Sequence, residues 1–299
     1  MTLVLPDCIR HSRNQAGKAF IDIAHPAVSA RIALEGAHLL QCTPSGQAPM
    51  LWVSPDDPQL PGKSLRGGIP LCWPWFGGDR PQSAHGIARR APWQLSAAEQ
   101  DAEGVYLRFE LPADCIAEQL PGEPWQVHVE YRLGAAIEVQ LTTRNLGEQP
   151  MKLSQALHTY LPVTAIQQAR ISGLDGAAYI DALDDWTHKT QAGDIDFTGE
   201  LDRIYYGTSA AVQLHDAAHP VVVERQGSES VVVWNPWQAK SLRLSEFPAN
   251  GYLGMLCIEA ANAGPDARLL QPGESHTLGT RIRPANPAAA HVITQDSVQ

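Results

Sequence analysis

Apolar and polar residues alternate with a period of two along most of the chain, as in VYLRFEL and WQVHVEYRL. Successive side chains of a strand point to opposite faces, so this pattern predicts strands with one buried face. Glycine- and proline-containing turns such as PANG and QPGE separate many of these segments. The predicted strands cover residues 19–24, 29–36, 105–111, 125–133, 137–145, 210–216, 220–226, 230–235 and 251–260.

Helical spacing is almost absent, and it is weak in the two segments that show it, SAAEQDAE (96–103) and LDDWTHKT (183–190). No internal repeat or linker-like stretch divides the chain. We therefore predict an all-β fold, a large antiparallel β-sandwich, formed by a single domain over residues 1–299. The small, polar tail from about residue 285 is expected to fray.

Two long stretches lack a strand pattern, at about 54–92 and 164–206. Loops of that length in a globular domain usually line a functional site. We expect the first stretch, which is rich in glycine, proline, tryptophan and arginine, to do so.

Composition excludes several classes of partner. The chain of 299 residues carries a net charge of −10 and has no long basic block, which argues against nucleic acid and anionic membranes. No apolar run approaches the roughly 18 residues of a membrane span, and the N-terminus lacks the pattern of a secretory signal. Five scattered cysteines are typical of reduced, mostly buried thiols, so we expect a cytoplasmic protein.

The segment RGGIPLCWPWFG (66–77) begins the most unusual part of the chain. Its glycines allow a ligand to approach the backbone, its prolines stiffen the path, and its aromatic rings could face a sugar. Arg66 and Arg89 are candidate anion ligands because a guanidinium can hold a phosphate with two hydrogen bonds. We expect Arg80 and Arg90 at the rim and the tryptophans partly buried. The alternative is an aromatic plug at one end of the sandwich.

Two histidines are candidates for a polar pocket. His85 lies in the same loop-rich stretch as these arginines, although a lone loop histidine is more often a surface residue. His158 lies in LSQALHTYLPV, where a strand would put it on the face opposite the leucines, together with Tyr160. A hydrogen-bonded core histidine is the alternative for His158.

Two acidic residues are also candidates. Glu259 follows the apolar segment GYLGMLCI and must either be paired, open into a cleft, or meet water at the end of its strand. Partial burial would raise its pKa toward that of a general base. Asp202 could form an ion pair with Arg203 or accept hydrogen bonds from sugar hydroxyls. Lys240 is a weaker candidate cation that solvation would also explain.

Six motifs, in order along residues 66–262, resemble the hexose-6-phosphate mutarotases, or glucose-6-phosphate 1-epimerases, a branch of the aldose 1-epimerase family. They are RGGIPLCWPWFG, AHGIAR, LHTYLPV, LDRIYYG, WNPW and CIEAAN. The resemblance implies a galactose-mutarotase-like supersandwich with the site in a cleft. It also implies roles for six residues: His158 as general acid, Glu259 as general base, and Arg66, His85, Arg89 and Asp202 in substrate binding.

The implied reaction opens the hemiacetal ring of a hexose 6-phosphate and closes it on the other face. Only protons move in this reaction, so we expect no cofactor and no metal. The expected partner is the sugar-phosphate substrate alone, with no nucleic acid and no membrane, and the chain is expected to be a monomer. Two alternatives stay open, an aldose 1-epimerase for neutral sugars and a non-catalytic carbohydrate-binding protein.

Overall fold

A computed structural model describes residues 3–285, in which antiparallel strands form most of the regular secondary structure. The predicted all-β class is confirmed. The predicted fraying from about residue 285 concerns residues that lie outside the described range, and the prediction of a single domain over residues 1–299 stays a prediction.

The larger of the two main sheets has nine strands, in the order β16-β13-β18-β19-β23-β9-β8-β7-β6. Strong alternation of apolar residues in its central strands follows from the burial of one face. The nine strands are β6 (Gln94–Gln100), β7 (Val105–Glu110), β8 (Trp125–Leu133), β9 (Ile137–Asn145), β13 (Arg170–Ser172), β16 (Ile195–Asp196), β18 (Val212–His215), β19 (Val221–Gln226) and β23 (Ser275–Pro284).

The second main sheet has eight strands, in the order β15-β14-β17-β20-β21-β11-β5, with β12 also paired to β21. It carries all the strand residues that concern function below. The eight strands are β5 (Leu71–Cys72), β11 (Gln155–Leu157), β12 (Tyr160–Pro162), β14 (Ala178–Asp181), β15 (Thr187–Thr190), β17 (Leu201–Tyr206), β20 (Ser230–Asn235) and β21 (Met255–Asn262).

Smaller elements complete the described part. A four-stranded sheet contains β1 (Ile9–Arg13), β2 (Ala19–His25), β3 (Val28–Ala33) and β4 (His38–Pro44), and a two-stranded sheet contains β10 (Met151–Leu153) and β22 (Arg268–Leu270). The helices are α1 (Ala113–Gln119) and α2 (Trp237–Ser241). Between residues 3 and 285, no helix is long and apolar enough to cross a membrane.

The main core lies between the faces of the large sheets. It includes Val129 and Leu141 of the nine-stranded sheet and Leu256 and Ile258 of the eight-stranded sheet, all fully buried. Burial of one such side chain contributes about 1.5–3 kcal/mol. A second apolar cluster covers the opposite face of the eight-stranded sheet and includes Tyr160, Trp234 and Cys257. Tyr160, Trp234 and Cys257 therefore mark a face that is turned away from the core between the sheets, called the cleft face below.

Several predictions about local structure are wrong. The weakly helical segments form β6 and, at residues 187–190, β15. Both are edge strands with largely exposed side chains, so pairing with a neighbouring strand decides their conformation and no buried stripe marks it. The stretch 164–206 contains β13 to β17 rather than one long loop, and residues 251–254 form a 3-10 turn before β21 begins.

The loop that leads to Arg66 is fastened to the four-stranded sheet by a buried cation. Lys18 is 1% exposed, and its Nζ lies 2.6 Å from a carboxylate oxygen of Glu35. The same Nζ donates to the carbonyl oxygens of Leu60 and Lys63, each at 3.1 Å. Breaking such a buried charge pair is costly, so this contact holds the loop in one position.

Candidate active site

Strand β21 places Glu259 on the cleft face of the eight-stranded sheet. Leu256 and Ile258 belong to the core between the sheets, whereas Cys257 belongs to the cluster on the other face, as does Ala261. Period-two alternation puts Glu259 on the face of Cys257. Glu259 lies in the middle of β21 and is 1% exposed. The alternative that it meets water at the end of its strand is therefore wrong.

His158 lies directly opposite Glu259, in a gap between two short strands that both pair with β21. Leu157 pairs with Ala260 and Tyr160 pairs with Cys257 in the same register. That register places His158 opposite Glu259. The predicted continuous strand is interrupted because the Thr159 N–H donates to the Leu157 carbonyl oxygen at 2.8 Å. His158 Nδ1 lies 3.5 Å from Glu259 Oε1.

Aromatic rings rather than hydrogen bonds hold the imidazole of His158. The Tyr160 ring is stacked on it with centroids 4.9 Å apart and an interplanar angle of 12°. The rings of Trp234 and His85 approach edge to face, with centroids 6.0 and 5.7 Å away. His158 Nδ1 and Glu259 Oε2 are buried and have no hydrogen-bond partner within residues 3–285. Such unsatisfied buried atoms are rare and are often found at functional sites.

Burial changes the protonation of both groups. Desolvation lowers the pKa of His158 well below 6.5, and the nearby His85, Arg89 and Arg66 lower it further. Desolvation and, to a smaller extent, Asp202 raise the pKa of Glu259 well above 4.5. Both shifts favour neutral forms. Burial therefore opposes an imidazolium–carboxylate pair in the unliganded protein.

Arg66 and Arg89 are cations without an acidic partner. No carboxylate oxygen lies within 4.0 Å of either guanidinium group in the described part of the chain. Arg66 Nη2 donates to the Ser245 carbonyl oxygen at 3.3 Å, and Arg89 Nη2 donates to that of Ala84 at 2.7 Å. Arg89 Nε is buried and unpartnered, and burial lowers the pKa of this guanidinium. Both groups can therefore accept an anion.

His85 is close both to the two arginines and to His158. Its Nδ1 accepts a hydrogen bond from the Gly77 N–H at 3.3 Å, so the proton of the neutral ring is on Nε2. Burial, together with the cations Arg89 and Arg66, lowers its pKa to about 4. Its φ of 65° is unusual for a residue other than glycine. His85 is thus a neutral hydrogen-bonding residue 5.7 Å, ring to ring, from His158.

Asp202 lies on β17, which β20 separates from β21, and it is paired with Lys240 and not with Arg203. Lys240 Nζ is 3.4 Å from Asp202 Oδ2 and 3.0 Å from Glu200 Oε1, so the interpretation of Lys240 as simply solvated is wrong. Arg203 instead donates to Gln191 Oε1 at 3.2 Å. Burial raises the pKa of Asp202, and Lys240 opposes that rise.

Other candidates lie outside the cleft. Arg80 forms a two-bonded ion pair with Glu123, and Arg90 is exposed, as expected for rim residues. Trp73 and Trp75 are fully buried, more deeply than expected. They belong to the core between the sheets, and Trp73 Nε1 donates to Thr143 Oγ1 at 2.9 Å.

Two further residues beside the pair, Cys257 and Trp234, were not predicted from the sequence. Cys257 precedes Glu259 by two residues, so the same alternation that places Glu259 also places this thiol in the cleft. Trp234 is brought in by pairing: β20 pairs with β21, and Trp234 lies opposite Cys257. The sequence of β20 does not predict the contact between Trp234 and β21, because this contact depends on which strands are neighbours.

The aldose 1-epimerase family model matches residues 20–283. The chain belongs to the aldose 1-epimerase family. A relative from Escherichia coli K12, named "Putative glucose-6-phosphate 1-epimerase", is 35% identical over 89% of this chain and 90% of its own length.

Solved structures agree with this assignment. A structure from Salmonella typhimurium described as a "putative mutarotase" superposes with a TM-score of 0.86 at 30% identity, covering 94% of this chain and 95% of that one. A galactose mutarotase-like protein from Lactobacillus casei has a TM-score of 0.68 at 15% identity, over 88% of this chain and 99% of that one, which shows the fold alone. The predicted galactose-mutarotase-like sandwich and the membership of a sugar epimerase family are confirmed.

Proposed function

We propose that this aldose 1-epimerase family member interconverts the α and β anomers of a hexose 6-phosphate, with glucose 6-phosphate as the preferred candidate. One observation carries the proposal: a histidine and a glutamate lie 3.5 Å apart, close to two arginines that have no acidic partner within residues 3–285. The name of the E. coli relative supports the choice of glucose 6-phosphate.

Anomer exchange requires an acid and a base that exchange roles. Glu259 takes the proton of the anomeric hydroxyl while His158 donates a proton to the ring oxygen, and the C1–O5 bond breaks to give the open aldehyde. Rotation about the C1–C2 bond and closure on the other face of the aldehyde reverse both transfers. Positioned groups of this kind contribute about 10²–10⁴-fold to the rate.

Proton position is the critical feature of this pair. The working form has a charged imidazolium and a carboxylate, whereas burial favours the neutral pair with the same number of protons. A shift of one proton over the 3.5 Å between His158 Nδ1 and Glu259 Oε1 connects the two forms. A bound phosphate favours this shift because its charge offsets Arg66 and Arg89, which disfavour the imidazolium.

Substrate binding is assigned to the remaining groups. A phosphate monoester carries a charge of about −1.5 to −2 at pH 7, and Arg66 and Arg89 can hold it with charge-assisted hydrogen bonds. The neutral His85 and the carboxylate of Asp202 are proposed as hydrogen-bonding partners of sugar hydroxyls. The proton transfers need no cofactor. The monomeric state and the cytoplasmic location stay predictions.

Saturation-transfer NMR of anomer exchange tests the proposal, with glucose 6-phosphate and free glucose measured side by side. We expect faster exchange of the phosphate ester alone, and a loss of about 10²-fold or more in His158→Asn and Glu259→Gln. Equal acceleration of free glucose would identify an aldose 1-epimerase for neutral sugars. Binding of the ester without faster exchange would identify a carbohydrate-binding protein.

A further inference from the structure

Cys257 adds a third donor atom to the His158–Glu259 pair, and the proton chemistry above does not use it. Its Sγ, one ring nitrogen of His158 and one carboxylate oxygen of Glu259 all lie within 4.8 Å of one another. Among the described residues this is the one such group of three nitrogen, sulfur or carboxylate donors.

These donors are free to bind a ligand. His158 Nδ1 and Glu259 Oε2 are buried and have no hydrogen-bond partner within residues 3–285. Cys257 is fully buried beside them, and His158, whose side chain is 14% exposed, opens the group to the cleft. His158 is therefore the member of the group that meets the surface.

We propose that His158, Cys257 and Glu259 form an inhibitory site for a thiophilic divalent cation of the Zn²⁺ and Cd²⁺ class. Imidazole, thiolate and carboxylate are the donors that Zn²⁺ takes in proteins, and a fourth position is left for water. Bonds of about 2.0–2.3 Å place tetrahedral donors roughly 3.3–3.8 Å apart. The distance of 3.5 Å between His158 Nδ1 and Glu259 Oε1 already lies in that range, and all three donors lie within 4.8 Å of one another.

Binding is an exchange of protons for metal. The S–H bond of Cys257 breaks, a sulfur–metal bond forms, and the thiol proton leaves to solvent; the carboxyl proton of Glu259 leaves in the same way. No electron moves. Thiolate and carboxylate together balance the 2+ charge, so the occupied site is neutral and tolerates burial.

A bound metal ion prevents His158 and Glu259 from transferring protons. A nitrogen of His158 and an oxygen of Glu259 become metal ligands, so neither group can exchange a proton with a sugar. This consequence rests on the proposed function. Binding of the ion rests only on the geometry of the three donors.

Cadmium titration of the full chain, freed of metal with a chelator, tests binding without any activity assay. We expect a thiolate-to-cadmium charge-transfer absorbance in the ultraviolet that saturates at one ion and that Zn²⁺ displaces. Cys257→Ala is expected to weaken binding on the order of 100-fold or more, since loss of even an outer partner costs 10–100-fold. Cys257→Ser, of nearly equal volume, tests the same loss with less risk to folding.

Cys42→Ala is the matched control, because Cys42 is also fully buried but belongs to the main core. It is expected to keep the absorbance. Equal saturation in the wild-type protein and both Cys257 variants, with circular dichroism showing folded chains, would overturn the proposal.

A second arm measures anomer exchange with Zn²⁺ present. We expect inhibition of the wild type, and exchange that resists Zn²⁺ in Cys257→Ser. Cadmium absorbance without any basal exchange would leave the metal site standing and refute the epimerase proposal. Basal exchange without the absorbance would refute the metal site and leave the epimerase proposal standing.

Discussion

His158 and Glu259 illustrate how burial and charge compete at one pair of residues. Desolvation favours the neutral forms of both, while the proposed chemistry needs the ionised forms. The two forms contain the same number of protons, so the bulk pH alone does not choose between them. The charge of a bound substrate selects the ionised form, which gives a phosphate ester a kinetic advantage over a free sugar.

The pH dependence of kcat/KM for glucose 6-phosphate reports the protons of this pair. Because the pKa of His158 is lowered, a second proton binds only well below pH 6.5; because that of Glu259 is raised, the shared proton is lost only well above pH 4.5. We expect a bell-shaped profile of kcat/KM against pH, with its acid limb below pH 6.5. In Glu259→Gln, the profile of the residual exchange should lose its alkaline limb. An acid limb at or above pH 6.5 would contradict the lowered pKa.

Arg66 and Arg89 should determine the preference for a phosphate. Hydrogen bonds to charged groups contribute about 1.5–3 kcal/mol, so Arg66→Met or Arg89→Met should raise KM for glucose 6-phosphate by roughly 10- to 150-fold. The exchange rate measured against substrate concentration gives this value. Arg80→Met is the control, since Arg80 is engaged with Glu123. Equal KM values in all three variants would remove the arginines from substrate binding.

The loop over residues 66–90 shows how an element positions a site. Glycines allow its backbone to approach the sheets closely, and one of them stands next to His85. At Gly86 the φ is +73°, and an added Cβ would lie 1.9 Å from the Trp73 carbonyl oxygen. The two ends of this segment therefore meet where the backbone of Gly86 lies against that of the core residue Trp73, and that contact fixes the position of His85.

Gly86→Ala is expected to lower the free energy of unfolding by about 2 kcal/mol or more, through the left-handed φ and the clash with Trp73. Urea denaturation followed by tryptophan fluorescence measures it. Gly78→Ala, in the same loop, has no atom within 4 Å of its added Cβ and should change stability little. Similar losses in both variants would show that the contact at Gly86 is not limiting.

Acid stability is a property of the whole molecule, and His38 contributes to it from outside the cleft. Its Nε2 donates to the Gly67 carbonyl oxygen at 2.7 Å, which ties the four-stranded sheet to the residue after Arg66. Burial lowers its pKa from 6.5 to about 4. The unfolded chain therefore binds a proton at His38 at a higher pH than the native chain does.

Stability from His38 is fully present above pH 6.5 and is lost as the pH falls toward about 4. The shift corresponds to about 3 kcal/mol over that window. The free energy of unfolding in urea, measured at several pH values, should fall less steeply with acid in His38→Gln than in the wild type. His11→Gln, at an exposed site, is the control and should keep the wild-type slope.

The period-two pattern predicted β7, β8 and β9 almost to the residue, because one face of each is buried. The same pattern did not predict β6 and β15, which lie at sheet edges with largely exposed side chains. For such strands the neighbour decides the conformation, and a neighbour distant in sequence leaves no local mark. The strands within 164–206 are only two to six residues long, so few alternating positions mark them.

The sheet class, the acidic residue in an apolar strand and the two arginines of the glycine-rich loop are readable from the amino-acid sequence, because alternation and side-chain chemistry are local properties. Three contacts are visible only in the folded chain: His158 lies opposite Glu259, Asp202 pairs with Lys240, and Cys257 completes a group of three donors. Those contacts join residues from 2 to more than 100 positions apart. They depend on the order and register of strands, which backbone hydrogen bonds and core packing select and no single segment encodes.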